Sequence, residues 1–185
     1  MFSLTKSVIR SQTFQSLRFQ STQAYKDSIA LLKTDLKKSM LAKDTIKRDT
    51  IKGLLSNIKN KEIDAKPSQH NEFLLYELFN KNINQRKDSV KEYQKLNRKD
   101  LSDKEILEIE IIQNYLNSLP VASSEEIESK VKEFLIEILR KEPNLKLNQI
   151  FGKLNWNQIK IDWKASESQV KSQIVKLFKE LSKQN

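Results

Sequence analysis

Cysteine is absent from the 185 residues, which excludes disulfides, thiolate metal sites and thiol catalysis. Glycine occurs twice and proline three times. So few turn-formers argue against a many-stranded sheet and for long helices joined by polar turns. No apolar run approaches the length of a membrane span. The one histidine, His70, has no cysteine or acidic cluster at ligand spacing, so it reads as a surface residue and not as part of a zinc site. Neither GxxxxGK[ST] nor GxGxxG occurs, and no cofactor is expected.

What the chain has in quantity is positive charge, unevenly spread. The formal net charge is +10. Residues 144–185 hold eight basic against three acidic side chains, and residues 23–67 eleven against six. Residues 102–143 reverse the balance with five basic against ten acidic. Basic ends of this kind suit a polyanion such as RNA, because neutralised phosphates release counterions. Lysines that simply solvate helix faces account for the same numbers, and composition alone leaves both readings open.

The most informative stretch runs from Gln85 to Pro120. Val90, Tyr93 and Leu96 recur at helical spacing, then a polar joint follows at Asn97–Asp100. Ser102, three residues before Glu105, offers a capping box for a second helix with its stripe at Ile109, Ile112 and Leu116, widened by Ile106 and Tyr115. Pro120 lies beyond its end. The pattern predicts an antiparallel hairpin. The same string, QRKDSVKEYQKLNRKDLSDKEILEIEIIQNYL, closely resembles the QRRDSIxxYxxAGRxDLxxKExxEIxxLxxYLP pattern of the GatB/YqeY family, proteins similar to the tail of the amidotransferase B subunit. Arg86, Asp88, Ser89, Tyr93, Glu105, Glu108 and Tyr115 are among the matching residues, read here as structural. Asn97 replaces the family's glycine, and asparagine tolerates a left-handed turn. Arg86 falls near the line from Ile83 to Val90, so a half-buried ion pair to Glu108 or Glu110 is expected, with an RNA phosphate as the competing role.

Upstream, residues 1–22 carry Lys6, Arg10 and Arg18 with no acidic residue, the composition of a mitochondrial transit peptide. Tyr25, Ile29, Leu32, Leu36 and Met40 form one helical stripe, and Asp44 caps a second bearing Ile51, Leu54, Leu55 and Ile58, continued by Ile63. This segment resembles the family's opening, LKxAMKAKDxxRLxTLRxLxxAIKNxEI. Gly53 inside the second helix suggests close packing against a neighbour. After a turn at Pro67, a helix of roughly thirty residues is expected to run into the hairpin.

Downstream, Ser123 with Glu126 forms a capping box before a stripe at Ile127, Val131, Phe134, Leu135 and Ile138. Residues 117–124 are the candidate boundary. Trp156, Ile159, Ile161 and Trp163 sit in an alternating segment that suits a short extended piece, in place of a glycine-rich turn of the family. Ser166 with Gln169 opens a last helix faced by Val170, Ile174, Leu177, Phe178 and Leu181. The expected fold is all-α: a leader over 1–22, an elongated helical hairpin domain over 23–119, and a small bundle of about three helices over 124–185.

The resemblance implies a link to glutamine-dependent transamidation of tRNA, in which the B subunit's tail helps hold the tRNA. It also brings a carbon–nitrogen ligase activity with glutamine as amido-N donor as one expectation, although no catalytic motif is present. The preferred expectation is a mitochondrial matrix protein that binds tRNA or another RNA without its own catalytic site. Lys153, Lys160 and Lys164 near Trp163 are the leading contacts, with Arg98 and Lys99 second. Trp156 reads first as core, whereas Trp163 suits core and surface equally. The alternative is a protein-interaction module that docks through the hairpin on an amidotransferase, a synthetase or the mitochondrial ribosome.

Overall fold

A computed structural model describes residues 21–181, Ser68 by its backbone alone. Of the leader expected over 1–22, residues 1–20 lie outside the described residues. All regular structure described is helical. The helices are α1 (Gln23–Leu41), α2 (Thr45–Asp64), α3 (Glu72–Lys95), α4 (Lys99–Asn117), α5 (Ser124–Lys141), α6 (Leu147–Gly152), α7 (Trp156–Asp162) and α8 (Glu167–Leu181), with a 3₁₀ turn at Pro67–Gln69. The chain divides into two compact units between Tyr115 and Leu116, within the last turn of α4.

In the first unit, α1 and α2 pack along each other and α3 packs against both. Leu32, Ile51, Leu54, Leu75 and Phe79 are completely or almost completely buried there. Burying side chains of this size contributes about 1.5–3 kcal/mol each, so packing of the apolar faces supplies most of what holds helices that would be marginal in isolation. Local chemistry sets the ends. Thr22 caps α1 by accepting the Tyr25 amide, and it is tied to the start of α3 by its own amide to the His70 carbonyl and its hydroxyl to Glu72. Asp44 accepts the Lys47 amide at the start of α2.

The α3–α4 joint is a Schellman turn: the Arg98 amide donates to the Tyr93 carbonyl, the Asn97 amide to Gln94, and Asn97 is left-handed at φ 55°. Asparagine therefore does the glycine's work. This turn also corrects one expectation, since α4 begins at Lys99 and Ser102 is an interior helical residue, with its amide donating to the Arg98 carbonyl. The chain re-enters helix directly after the turn, so the Ser102–Glu105 pattern never caps an end. Likewise α3 has 24 residues, because Asn71 caps it by accepting the Leu74 amide.

A Cβ placed on Gly53 meets nothing within 4 Å, so the expected close packing is absent. Its side of α2 faces open space. Gly53→Ala is expected to stabilise the chain by about 0.5–1 kcal/mol, through lower entropy of the unfolded chain, and urea unfolding would show a higher midpoint at unchanged slope. Met40, Ile63, Leu96 and Ile106, placed on the helical stripes by spacing, are exposed; the first three lie at the ends of their helices, where each stripe runs past its packed length. His70 is half-buried and stacks on Tyr25, with ring centroids 5.7 Å apart, so it is no simple surface residue.

Among the described residues the second unit holds four helices where about three were expected, two of them short. α5 packs along α8, and α6 and α7 close over α8. Val131, Leu135, Ile150, Val170 and Ile174 are completely buried at the centre. The capping boxes at Ser123–Glu126 and Ser166–Gln169 both form. The segment read as extended is α7. Asn155 starts it by accepting the Gln158 amide, and Ile159 faces the core with Trp156 and Trp163 packed at its edge.

Candidate nucleic-acid interface

Two groups of candidate residues fall in different units, and each is built by its own helices. In the first unit Arg86 on α3 faces α4. Its Nε and one terminal nitrogen both lie 2.9 Å from Glu108 Oε2, and Glu105 is 3.9 Å away. Of the two partners expected, Glu108 is the one engaged. The third direction of the guanidinium reaches Asn82 Oδ1 at 3.5 Å, which also accepts from Asn57 at 2.9 Å, while the Asn82 amide donates to the Leu78 carbonyl. A polar thread thus joins α2, α3 and α4. Burial raises the Glu105 carboxyl, Glu108 raises it further, and Arg86 opposes both.

The other signature residues are used locally or for packing. Tyr115 donates its hydroxyl to Asp35 at 2.9 Å and so ties α4 to α1. Burial and that carboxylate hold its phenol well above the ordinary value. Asp88 pairs with Lys91, and the Ser89 hydroxyl donates to the Gln85 carbonyl. Tyr93 is half-buried. A groove of about 190 Å³ lies between α2 and α3, lined by Asn57, Asn82 and Gln85 among others. It falls short of the roughly 300 Å³ at which ligand clefts begin, and we place no site there.

At the α3–α4 joint, Arg98 grips Asp100 with two bonds of 3.1 and 3.0 Å. The hydrogen bond and charge of Arg98 hold the Asp100 carboxyl below its usual range. Arg98 is therefore already neutralised, whereas Lys99 beside it is exposed and makes no ion pair among the described residues.

In the second unit the structure brings Lys160, Trp163 and Lys164 together on α7 and the residues after it. Lys164 has φ 49°, and this left-handed residue follows the helix end while its carbonyl accepts the Ala122 amide. Both lysines are exposed and neither makes an ion pair among the described residues. Lys153 is set apart, because its ammonium is 2.7 Å from Glu142. Asp162 is the acidic residue of α7, and Gln158 donates to both its oxygens.

Three further residues belong to this surface, and spacing did not place Lys130 or Lys171 there. Lys130 of α5 donates to the Asp162 carbonyl at 3.2 Å and adds positive charge at the C-terminus of α7. Ile161 is 70% exposed between the two lysines. Lys171 holds its ammonium 5.1 Å from the Trp156 ring and 5.8 Å from Phe151, anchored to Glu167 at 2.6 Å. Its cation already occupies the face of Trp156, which leaves Trp163 as the stacking candidate. The Lys130 and Lys171 contacts join separate helices and so do not show in a linear pattern.

Among the described residues no group of three His, Asp or Glu side chains is placed to hold a metal ion, and no helix is long and apolar enough to cross a membrane. Curated relatives extend over almost the whole chain. The protein named altered inheritance of mitochondria protein 41, mitochondrial, from Lachancea thermotolerans is 52% identical over 162 residues, covering 88% of this chain and 87% of its own length. Its namesake from Kluyveromyces lactis is 47% identical, with 89% of each chain covered, and that of a Saccharomyces cerevisiae strain 41% identical, with 90% and 91% covered. The model of the Yqey-like protein family matches residues 29–176. The resemblance carried by the hairpin thus extends through both units, and the chain belongs to the Yqey-like protein family.

Proposed function

We propose that the chain acts in the mitochondrial matrix as a non-catalytic RNA-binding accessory protein, with tRNA as its ligand, in connection with glutamine-dependent transamidation. The observation that carries this reading is the α7 surface, where Lys160 and Lys164 flank the half-buried Trp163 and are not committed to any carboxylate among the described residues. Free ammonium groups beside an aromatic edge suit phosphate neutralisation and base stacking together. The names of the relatives support a mitochondrial location.

Binding to a mitochondrial tRNA pool at two salt concentrations tests the reading. Lys160→Ala with Lys164→Ala is expected to lower the slope of log affinity against log salt by about 2, one for each phosphate that is no longer neutralised. Lys153→Ala is expected to change affinity little, because Glu142 already neutralises that ammonium. An unchanged slope in the double variant would remove α7 from the interface.

A second reading is favoured by one observation. Ile106 and Leu107 are adjacent and substantially exposed on α4, an apolar patch that suits a protein docked on the hairpin. It predicts weak, sequence-blind RNA binding and loss of a protein complex when both are changed to serine.

A further inference from the structure

We propose that the turn joining α1 to α2 is a contact site for an anionic lipid bilayer, a role independent of the RNA surface on α7. Helix α1 ends on Met40 and Leu41, which are 54% and 85% exposed. The backbone beyond them is fixed. Lys43 is left-handed at φ 56°, the Asp44 amide donates to the Ser39 carbonyl at 2.9 Å, and the Asp44 carboxylate caps α2. Two aliphatic side chains therefore project from a rigid frame. One exposed leucine alone would mean little.

What gives the pair meaning is the positive charge carried by the same stretch of chain. Residues 37–48 contain five basic side chains and one acidic one, Asp44, whose carboxylate is engaged in capping. Lys37, Lys43 and Lys47 make no ion pair among the described residues, while Lys38 lies 3.6 Å from Asp35 and Arg48 pairs with Asp49. Aliphatic tips among ammonium groups match the layers of a bilayer surface, where headgroup phosphates attract the lysines and the acyl boundary receives the methionine and leucine. RNA offers no hydrocarbon to these side chains, and no aromatic residue stands between residues 33 and 50 to stack on a base. Charge complementarity and the kind of apolar residue together select the bilayer.

The absence of cysteine makes a direct test available on the full chain. Position 42 is exposed and adjoins both apolar residues, so Ala42→Cys accepts an environment-sensitive fluorophore at a single site. The probes are vesicles of phosphatidylcholine alone and of phosphatidylcholine with cardiolipin. The label at position 42 is expected to shift to shorter wavelength on the cardiolipin vesicles, and Lys37→Glu with Lys43→Glu to weaken that response about tenfold or more. Adding Leu41→Asp is expected to abolish the shift. A label placed through Ile136→Cys on α5 should stay in water, so binding through the basic leader alone moves neither label. No shift at position 42 on either vesicle, or a shift with tRNA and not with vesicles, overturns the proposal.

Discussion

Arg86→Met is expected to cost about 3 kcal/mol of stability near neutral pH, and part of that loss should return on acidification. Methionine keeps the apolar stem between α3 and α4 and removes only the guanidinium. With it go the two bonds to Glu108, the longer approach to Glu105 and one donor to Asn82. The pair is mostly buried, with Arg86 19% and Glu108 13% exposed, so water compensates little for a missing partner. Glu105 and Glu108 would then face each other without the cation between them.

The pH dependence follows from the direction of the Glu105 shift. Burial and Glu108 raise its folded pKa above the ordinary 4.5, and Arg86 is the group that restrains the rise. A carboxyl with a raised folded pKa holds its proton more tightly in the folded chain than in the unfolded one. Its contribution therefore grows as pH falls through the folded value and is complete below 4.5. Removing Arg86 drives Glu105 further in that direction. Urea unfolding of wild type and variant at about pH 7 and about pH 5 should show a smaller difference at the lower pH. An equal difference at both would mean that the stem's packing, and not the charge, is what the substitution removes.

This thread also shows how far the linear sequence could be read. The Arg86–Glu108 pair was legible because two stripes facing each other across a short joint fix which side chains meet. Asn82 was not, although it lies three residues after Phe79 on the same stripe, because its meaning depends on Asn57, 25 residues away. Helix ends at Asp44, Asn97, Ser123 and Ser166 were legible for the opposite reason: their chemistry is complete within a few residues. Where two periods competed, the local pattern misled. Ile159, Ile161 and Trp163 alternate like a strand, yet Trp156, Ile159 and Trp163 also recur at i, i+3 and i+7, and burial against α8 selects the helix and leaves Ile161 outside. The candidate interface divides the same way. Lys160 and Lys164 were legible as lysines beside Trp163, but so was Lys153, and the capture of Lys153 by Glu142 and the cover of Trp156 by Lys171 arise only when distant helices meet.

Leu135→Ala is expected to cost about 3 kcal/mol, and Ile136→Ala, one residue further along α5, no more than about 0.5 kcal/mol. Leu135 is completely buried in the cluster formed by α5, α6, α7 and α8, while Ile136 is about half exposed. Truncation at position 135 removes buried methyl groups and leaves a cavity that the surrounding cluster fills only in part. The same truncation at position 136 removes a side chain that water already reaches. Both tryptophans of the chain pack against the cluster around Leu135, so their fluorescence follows the melting of this unit in urea. A lower midpoint at unchanged slope for Leu135→Ala alone is the expected result. Comparable losses at both positions would mean that α5 does not present the face assigned to it. The consequence reaches the surface, since Ile159 anchors α7 in this cluster and Lys160 and Lys164 are held where they are by that anchor. RNA binding should then fall in Leu135→Ala as the unit unfolds, and persist in Ile136→Ala.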